Sequence, residues 1–139
     1  MLAFAAFSFL AGCATDTQAT SVANSQVTAS STESKTQEAL TRGERLFNLH
    51  CMACHSVEAQ GRTAAGPHLE GIFGQQVAAN TDWAYPAHVA KLDFEWSESR
   101  MREWLEHPQE MVPNMCLPFR GLRREADIDA LMHYLLNTT

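Results

Sequence analysis

The chain has 139 residues, room for one domain of ordinary size, and 45% of them are hydrophobic. Sixteen Asp and Glu against ten Lys and Arg give a formal net charge of −6, and the balance stays acidic from residue 40 to the end. This argues against nucleic acid as a partner, because holding a phosphate backbone takes a basic surface.

The chain opens on MLAFAAFSFLAG, which is almost wholly apolar. That run is too short to span a bilayer but fits the apolar region of a secretory signal, although no Lys or Arg precedes it. The quartet Leu10-Ala11-Gly12-Cys13 resembles the lipobox of bacterial lipoproteins, where the signal is cut before a cysteine that is then acylated. The expectation is a signal peptide over residues 1–12, lipidation of Cys13, and a membrane lipid anchor on the periplasmic side of the bacterial cell envelope. Each acyl methylene buried would contribute about 0.8 kcal/mol to that anchorage. The plainer alternative is an ordinary secretory signal with a chance cysteine. Residues 14–37 hold no aromatic, Leu or Ile and are dominated by Ser, Thr, Ala and Gln. Such a stretch buries too little apolar area to offset its chain entropy. It is read, with Cys13, as a tether over 13–37, with a span of roughly 25–30 Å if it is a flexible coil. The remaining domain is 38–139.

A helix is predicted over 36–50, where Leu40, Gly43, Leu46, Phe47 and His50 recur at helical spacing. It runs into Cys51-Met-Ala-Cys54-His55, a C-x-x-C-H run and the signature of covalent c-type haem attachment. The spacing suits the chemistry. Two thiols one turn apart add across the two vinyl groups of a porphyrin, and the following imidazole reaches the iron as proximal ligand. A redox C-x-x-C would call for strands that the sequence does not show, and a zinc site for a second Cys/His pair. A disulfide would close an uncommonly small loop. A second helix is predicted over 97–108, with Ser97 as N-cap, Met101, Trp104 and Leu105 on one face, and Pro108 as its stop. A third, over 124–139, places Ile128, Leu131, Met132 and Leu135 on one face. Gly43 would let this last helix approach closely, with Leu131 or Tyr134 filling the space. The rest reads as loop.

These residues resemble the small monohaem cytochromes c of the mitochondrial type. Gly43 and Phe47 stand eight and four residues before Cys51, and Gly66-Pro67-His68-Leu69 follows His55 by eleven. Gly71-Ile72-Phe73-Gly74, Tyr85, Trp96, Trp104-Leu105 and Pro108 continue the register. The resemblance implies an all-α cytochrome c fold, three to five short helices with long loops wrapped around one covalent haem c. It also implies that Pro67 offers its carbonyl to the haem-ligating His55, and that Tyr85 and Trp96 hydrogen-bond a buried propionate.

The departure lies in Val112-Pro-Asn-Met-Cys-Leu-Pro-Phe-Arg-Gly121. Pro113, seventeen residues after Trp96, and Pro118-Phe119-x-Gly121 match the family, and they put Leu117 where an axial methionine belongs. Leucine has no lone pair for iron. Three readings stay open: Cys116 ligates as thiolate after a one-residue shift, Met115 after a two-residue shift, or the site is open or water-bound and Leu117 sieves a small diatomic ligand such as CO or NO. Cys116 is also the odd cysteine once the other three are used.

The other histidines have plainer readings. His50 and His68 are taken as surface residues, and His88, His107 and His133 share no ligand spacing. Trp83 is read as covering the haem edge. Arg120, Arg123 and Arg124 form a local basic cluster, read either as a solvated face or as a patch for an acidic partner or a propionate. The leading function is a lipid-anchored electron carrier working with redox protein partners. The alternatives are a haem sensor or CO/NO-binding protein, and a haem subunit of a larger redox complex. No acid or base is recognisable near the distal loop, so no enzymatic activity is expected.

Overall fold

The computed structural model describes residues 19–63, 65–113, 115 and 117–139, with side chains from residue 32 onward. The signal peptide, Cys13 and Cys116 lie outside the described residues. The chain divides into two units, Met1–Glu33 and Ser34–Thr139. Four helices are present among the described residues: α1 (Ala19–His50), α2 (Glu98–Glu106), α3 (Pro108–Met111) and α4 (Glu125–Thr138). Among the described residues, strand geometry is limited to one isolated antiparallel bridge, Gln76 with Glu95. The all-α expectation holds. No helix among the described residues is long and apolar enough to cross a membrane.

The helix expected over 36–50 begins earlier, at Ala19, inside the stretch read as a tether. Residues 14–42 contain neither Gly nor Pro, so nothing in the chain stops the helix from propagating upstream of its packed turns. Residues 32–38 are exposed, as their lack of large apolar side chains dictates. Packing starts at Leu40, and Gly43 and Phe47 are buried. His50, placed on the same face by spacing, is instead exposed and rests its ring beside Phe119, centroids 5.9 Å apart.

Ser97 caps α2 as expected: its hydroxyl accepts from the Arg100 N–H at 3.2 Å. Pro108 both ends that helix and opens the short α3, where its missing N–H and fixed φ suit the first helical position. The sequence pattern marks Pro108 only as a stop, so α3 is not expected from it. In α4 all four predicted core residues are buried, with Leu131 at 0% exposure. Phe47, Met101, Leu105, Ile128, Leu131, Met132 and Leu135 form one core cluster, so α1, α2 and α4 meet at a single centre.

At Gly43, α1 lies directly against α4. A Cβ there would overlap the Ala130 carbonyl and stand 2.5 Å from the Tyr134 Cβ. The partner predicted from sequence was Leu131 or Tyr134; the structure assigns the contact to Tyr134 together with the Ala130 backbone. The Phe47 and Tyr134 rings pack beside it, centroids 5.7 Å apart.

Asp127, in the first turn of α4, ties that helix to α1. Its Oδ1 accepts from Arg42 Nε at 2.9 Å, and its Oδ2 from Arg124 Nε at 2.6 Å. The Arg124 hydrogen bond above all, with Arg42 beside it, holds the Asp127 carboxyl below the usual carboxylate value. A lowered folded value means that the unfolded chain binds the proton more tightly. The contribution to stability is therefore complete above about pH 3.8 and is lost as pH falls through the lower folded value. Asp127→Asn is expected to lower the Tm at pH 7 by about 5 °C. It should also flatten the acid limb of stability below pH 4, which thermal melts taken between pH 2.5 and 7 will show. A variant that loses stability in parallel with the wild type across that range would refute the assignment.

Candidate functional site

The end of α1 winds directly into the C-x-x-C-H run. The N–H groups of Cys51 and Met52 both donate to the Phe47 carbonyl, at 2.8 and 3.0 Å. Those of Cys54 and His55 donate to the Cys51 carbonyl, at 2.9 and 2.8 Å. The run is therefore a tight turn continuing the helix, anchored on the buried Phe47. Cys51 packs against the core cluster, and both cysteines are free. Burial, followed by the neighbouring Cys54, pushes the Cys51 thiol up to about 11, so it is a neutral S–H at physiological pH.

His55 is half-buried, and its Nδ1 lies 2.7 Å from the Pro67 carbonyl oxygen. A carbonyl only accepts, so Nδ1 carries the proton and Nε2 keeps its lone pair. Burial lowers the His55 pKa and so favours the neutral ring, and the Pro67 bond opposes this only in part. A neutral imidazole with Nε2 unprotonated is the form that binds a metal. These features fit a covalently held haem: two thiols at one turn's spacing, and one imidazole already in its ligand tautomer.

The loop carrying Pro67 is itself fastened. The Leu69 N–H donates to the Ser56 carbonyl at 2.8 Å, and the Ala59 N–H to Glu70 Oε2 at 2.6 Å. Gly66 is buried against the flat of the His55 ring. A Cβ at that position would overlap Cε1 and lie 2.8 Å from both ring nitrogens. In the sequence Gly66 is visible only as part of a motif, and its contact with the ligand ring is not. The Ser56 and Glu70 fastenings are not visible there either, because a backbone carbonyl and a lone exposed Glu leave no pattern.

Tyr85 is half-buried. Burial raises its phenol pKa while a hydrogen bond with the Asn80 backbone works the other way. Trp96 is half-buried in a run of edge-to-face aromatics, 5.0 Å from Phe94 and 5.9 Å from Trp104 between centroids. Trp83 is half-buried as well. Arg120, Arg123 and Arg124 are all exposed, and Arg124 is paired with Asp127. Among the remaining histidines, His107 stands 3.9 Å from the carboxylates of both Glu106 and Glu110.

The distal loop is pinned at both ends. Val112 is buried and its N–H donates to the Pro108 carbonyl at 3.2 Å. At the far end the Leu122 N–H donates to the Leu105 carbonyl at 2.7 Å, and Gln109 Nε2 to the Phe119 carbonyl at 3.3 Å. Gly121 has φ +88° and its backbone sits against the Glu106 carbonyl, with no room for a Cβ. Between these anchors Met115 and Leu117 are half-buried, and the Leu117 N–H donates to the Met115 carbonyl at 3.0 Å.

The cytochrome c family model matches residues 40–139. Cytochrome c of Kluyveromyces lactis is 34% identical over 95 residues, which are 68% of this chain and 86% of that protein. Cytochrome c of Gibberella zeae is 30% identical over 100 residues, covering 72% of this chain and 94% of its own. That of Chlamydomonas reinhardtii is 32% identical over 100 residues, covering 72% and 89%. A match of this extent, laid over a turn already shaped for two thioethers and a neutral imidazole, places the chain in the cytochrome c family as a monohaem, class I member that binds haem c covalently and transfers electrons with redox protein partners.

Proposed function

We propose that this cytochrome c is a lipid-anchored electron carrier of the bacterial cell envelope, facing the periplasm, with Leu117 in place of the axial methionine. His55 in its Nε2 lone-pair tautomer carries the reading at the proximal side. Cys51 and Cys54 hold the haem through thioethers. The bound haem supplies an iron that takes up and releases one electron. The chain fixes the ligand ring through Pro67; Tyr85 and Trp96 are the residues assigned to a propionate. The anchor rests on Leu10-Ala11-Gly12-Cys13. Mass spectrometry of the mature protein tests it: the expected product begins at Cys13 and carries diacylglycerol and an N-acyl chain, and an unmodified Cys13 refutes it.

At the distal side, the pinned ends of the loop support the reading that disturbs them least. Bringing Met115 or Cys116 to the Leu117 position would slide the chain against Val112, Phe119 and Gly121, all of which are held. A haem held by Cys51, Cys54 and His55 would then find no protein donor at Leu117, and a second function follows: binding of CO or NO to the ferrous protein, sieved by Leu117. Optical and electron paramagnetic resonance spectra of the purified protein, of Cys116→Ala and of Met115→Ala decide between these. The expected result is three superimposable spectra and prompt CO binding by the ferrous form. A spectral change in Cys116→Ala would establish thiolate ligation, and one in Met115→Ala would establish His/Met ligation.

A further inference from the structure

The segment leading into α2 alternates. Leu92, Phe94 and Trp96 are half-buried, whereas Asp93, Glu95 and Ser97 are exposed. That is the period of extended backbone, in which residues two apart share a side. The facing segment holds it extended. Glu95 bridges Gln76, the Val77 N–H donates to the Phe94 carbonyl, and the Trp96 N–H donates to the Gln75 carbonyl, both at 2.8 Å. Phe94 and Trp96 therefore stand side by side, with ring centroids 5.0 Å apart and planes at 84°.

Helix α2 closes on this pair from both ends. Trp104 meets Trp96 edge to face, centroids 5.9 Å apart and again at 84°. Arg100, one turn earlier, lays its guanidinium over the Phe94 ring, 5.3 Å from the centroid. Residues four apart share a helix face, so one side of α2 supplies both contacts. Arg100 is itself held. Its Nη1 donates to Glu103 Oε2 at 2.6 Å, and its backbone N–H to the Ser97 hydroxyl at 3.2 Å. Edge-to-face contact is a geometry that aromatic quadrupoles favour, and two such contacts restrict the rotation of the Trp96 indole. The indole N–H of Trp96 nevertheless has no acceptor among the described residues. The chain orients a donor that it does not itself use.

We propose that Phe94 and Trp104, with Arg100 behind Phe94, are positioning residues that hold the Trp96 indole so that its N–H serves the haem propionate. The proposal rests on the assignment of Trp96 to a propionate. Burial alone does not account for the arrangement, because Phe94 neither joins the core cluster nor packs against it. An aliphatic side chain would cover Trp96 equally well, but it would select no angle. Two perpendicular rings, with a cation over the outer one, do select an angle. The consequence reaches electron transfer. A hydrogen bond to the propionate disperses negative charge that favours ferric iron. An indole free to turn would make that bond only part of the time, and the reduction potential would fall.

The test uses the holoprotein labelled at its tryptophan indole nitrogens. Exchange of the Trp96 indole hydrogen with solvent is followed by nuclear magnetic resonance, its signal identified by its loss in Trp96→Phe. The reduction potential is measured alongside by equilibrium titration. Phe94→Leu keeps an apolar side chain at a position outside the core cluster, so the fold is retained. It is expected to exchange the indole hydrogen roughly tenfold faster than the wild type. It should also lower the potential, by less than Trp96→Phe does. Phe94→Tyr keeps the ring and is expected to match the wild type in both measurements. A Phe94→Leu protein with wild-type exchange and potential overturns the positioning role. So does a Phe94→Tyr protein displaced as far as Phe94→Leu, since the ring would then not be what matters. A Trp96→Phe protein at the wild-type potential overturns the propionate assignment itself, a distinct result, because the exchange rates would still separate the two Phe94 variants.

Discussion

Replacing Gly66 by Ala is expected to leave most chains without correctly ligated haem. The added methyl would fall within the His55 ring. The ring has no easy retreat, since its Nδ1 is committed to the Pro67 carbonyl and its backbone N–H to Cys51. Gly66 has no such freedom either, because Leu69, three residues on, is fixed to Ser56. The conflict must be relieved by turning the imidazole out, which breaks the bond that sets its tautomer and moves Nε2 from its place. The yield of covalent haem per chain and the spectrum of the ferrous protein read this directly. A methyl fits without loss only if the loop moves, so a variant with wild-type yield and spectrum would show that the loop is not fastened as described. Glu70→Gln is the companion measurement: it weakens one fastening without adding bulk, and a much smaller loss is expected.

The second large effect is at Gly43. Gly43→Ala gains about 1 kcal/mol of helix propensity, yet its methyl meets the Ala130 carbonyl and the Tyr134 Cβ. Neither is the far end of a flexible side chain, so α1 and α4 must separate. Overpacking of this kind costs about 1–3 kcal/mol and more where backbone is struck, as it is here. The net expectation is a loss of about 2–3 kcal/mol, or a Tm lowered by about 10–20 °C for a domain of this size. Thermal melts of the holoprotein check it. A Tm equal to or above that of the wild type would mean that the propensity gain wins and the helices are not in contact at Gly43.

How far the sequence carried depended on where the information sits. The faces of α2 and α4 were legible because apolar spacing maps directly onto burial: Met101, Leu105, Ile128, Leu131, Met132 and Leu135 all lie in the core as expected. The C-x-x-C-H run was legible because chemistry fixes its order, and its Pro67 partner through the resemblance of Gly66-Pro67-His68-Leu69 to a family motif. The start of α1 was not, since a polar stretch without Gly or Pro has no stop signal, and composition alone cannot separate an exposed helix from a coil. Pro108 misled for the opposite reason: a residue that ends one helix is equally suited to begin the next. The partners of Asp127 stayed hidden because Arg42 is 85 residues away in the chain.

The bond between His55 and the Pro67 carbonyl has a consequence for how this protein tolerates change. The acceptor is main chain, so no exchange of side chain at residue 67 deletes it. The same is true of Cys51, Ser56 and Leu69, which brace the site through their own N–H or C=O groups. Random substitution therefore finds few ways to unmake the ligand's tautomer. Apart from Cys51, Cys54 and His55 themselves, the vulnerable point is Gly66, where any side chain at all would strike the ligand ring.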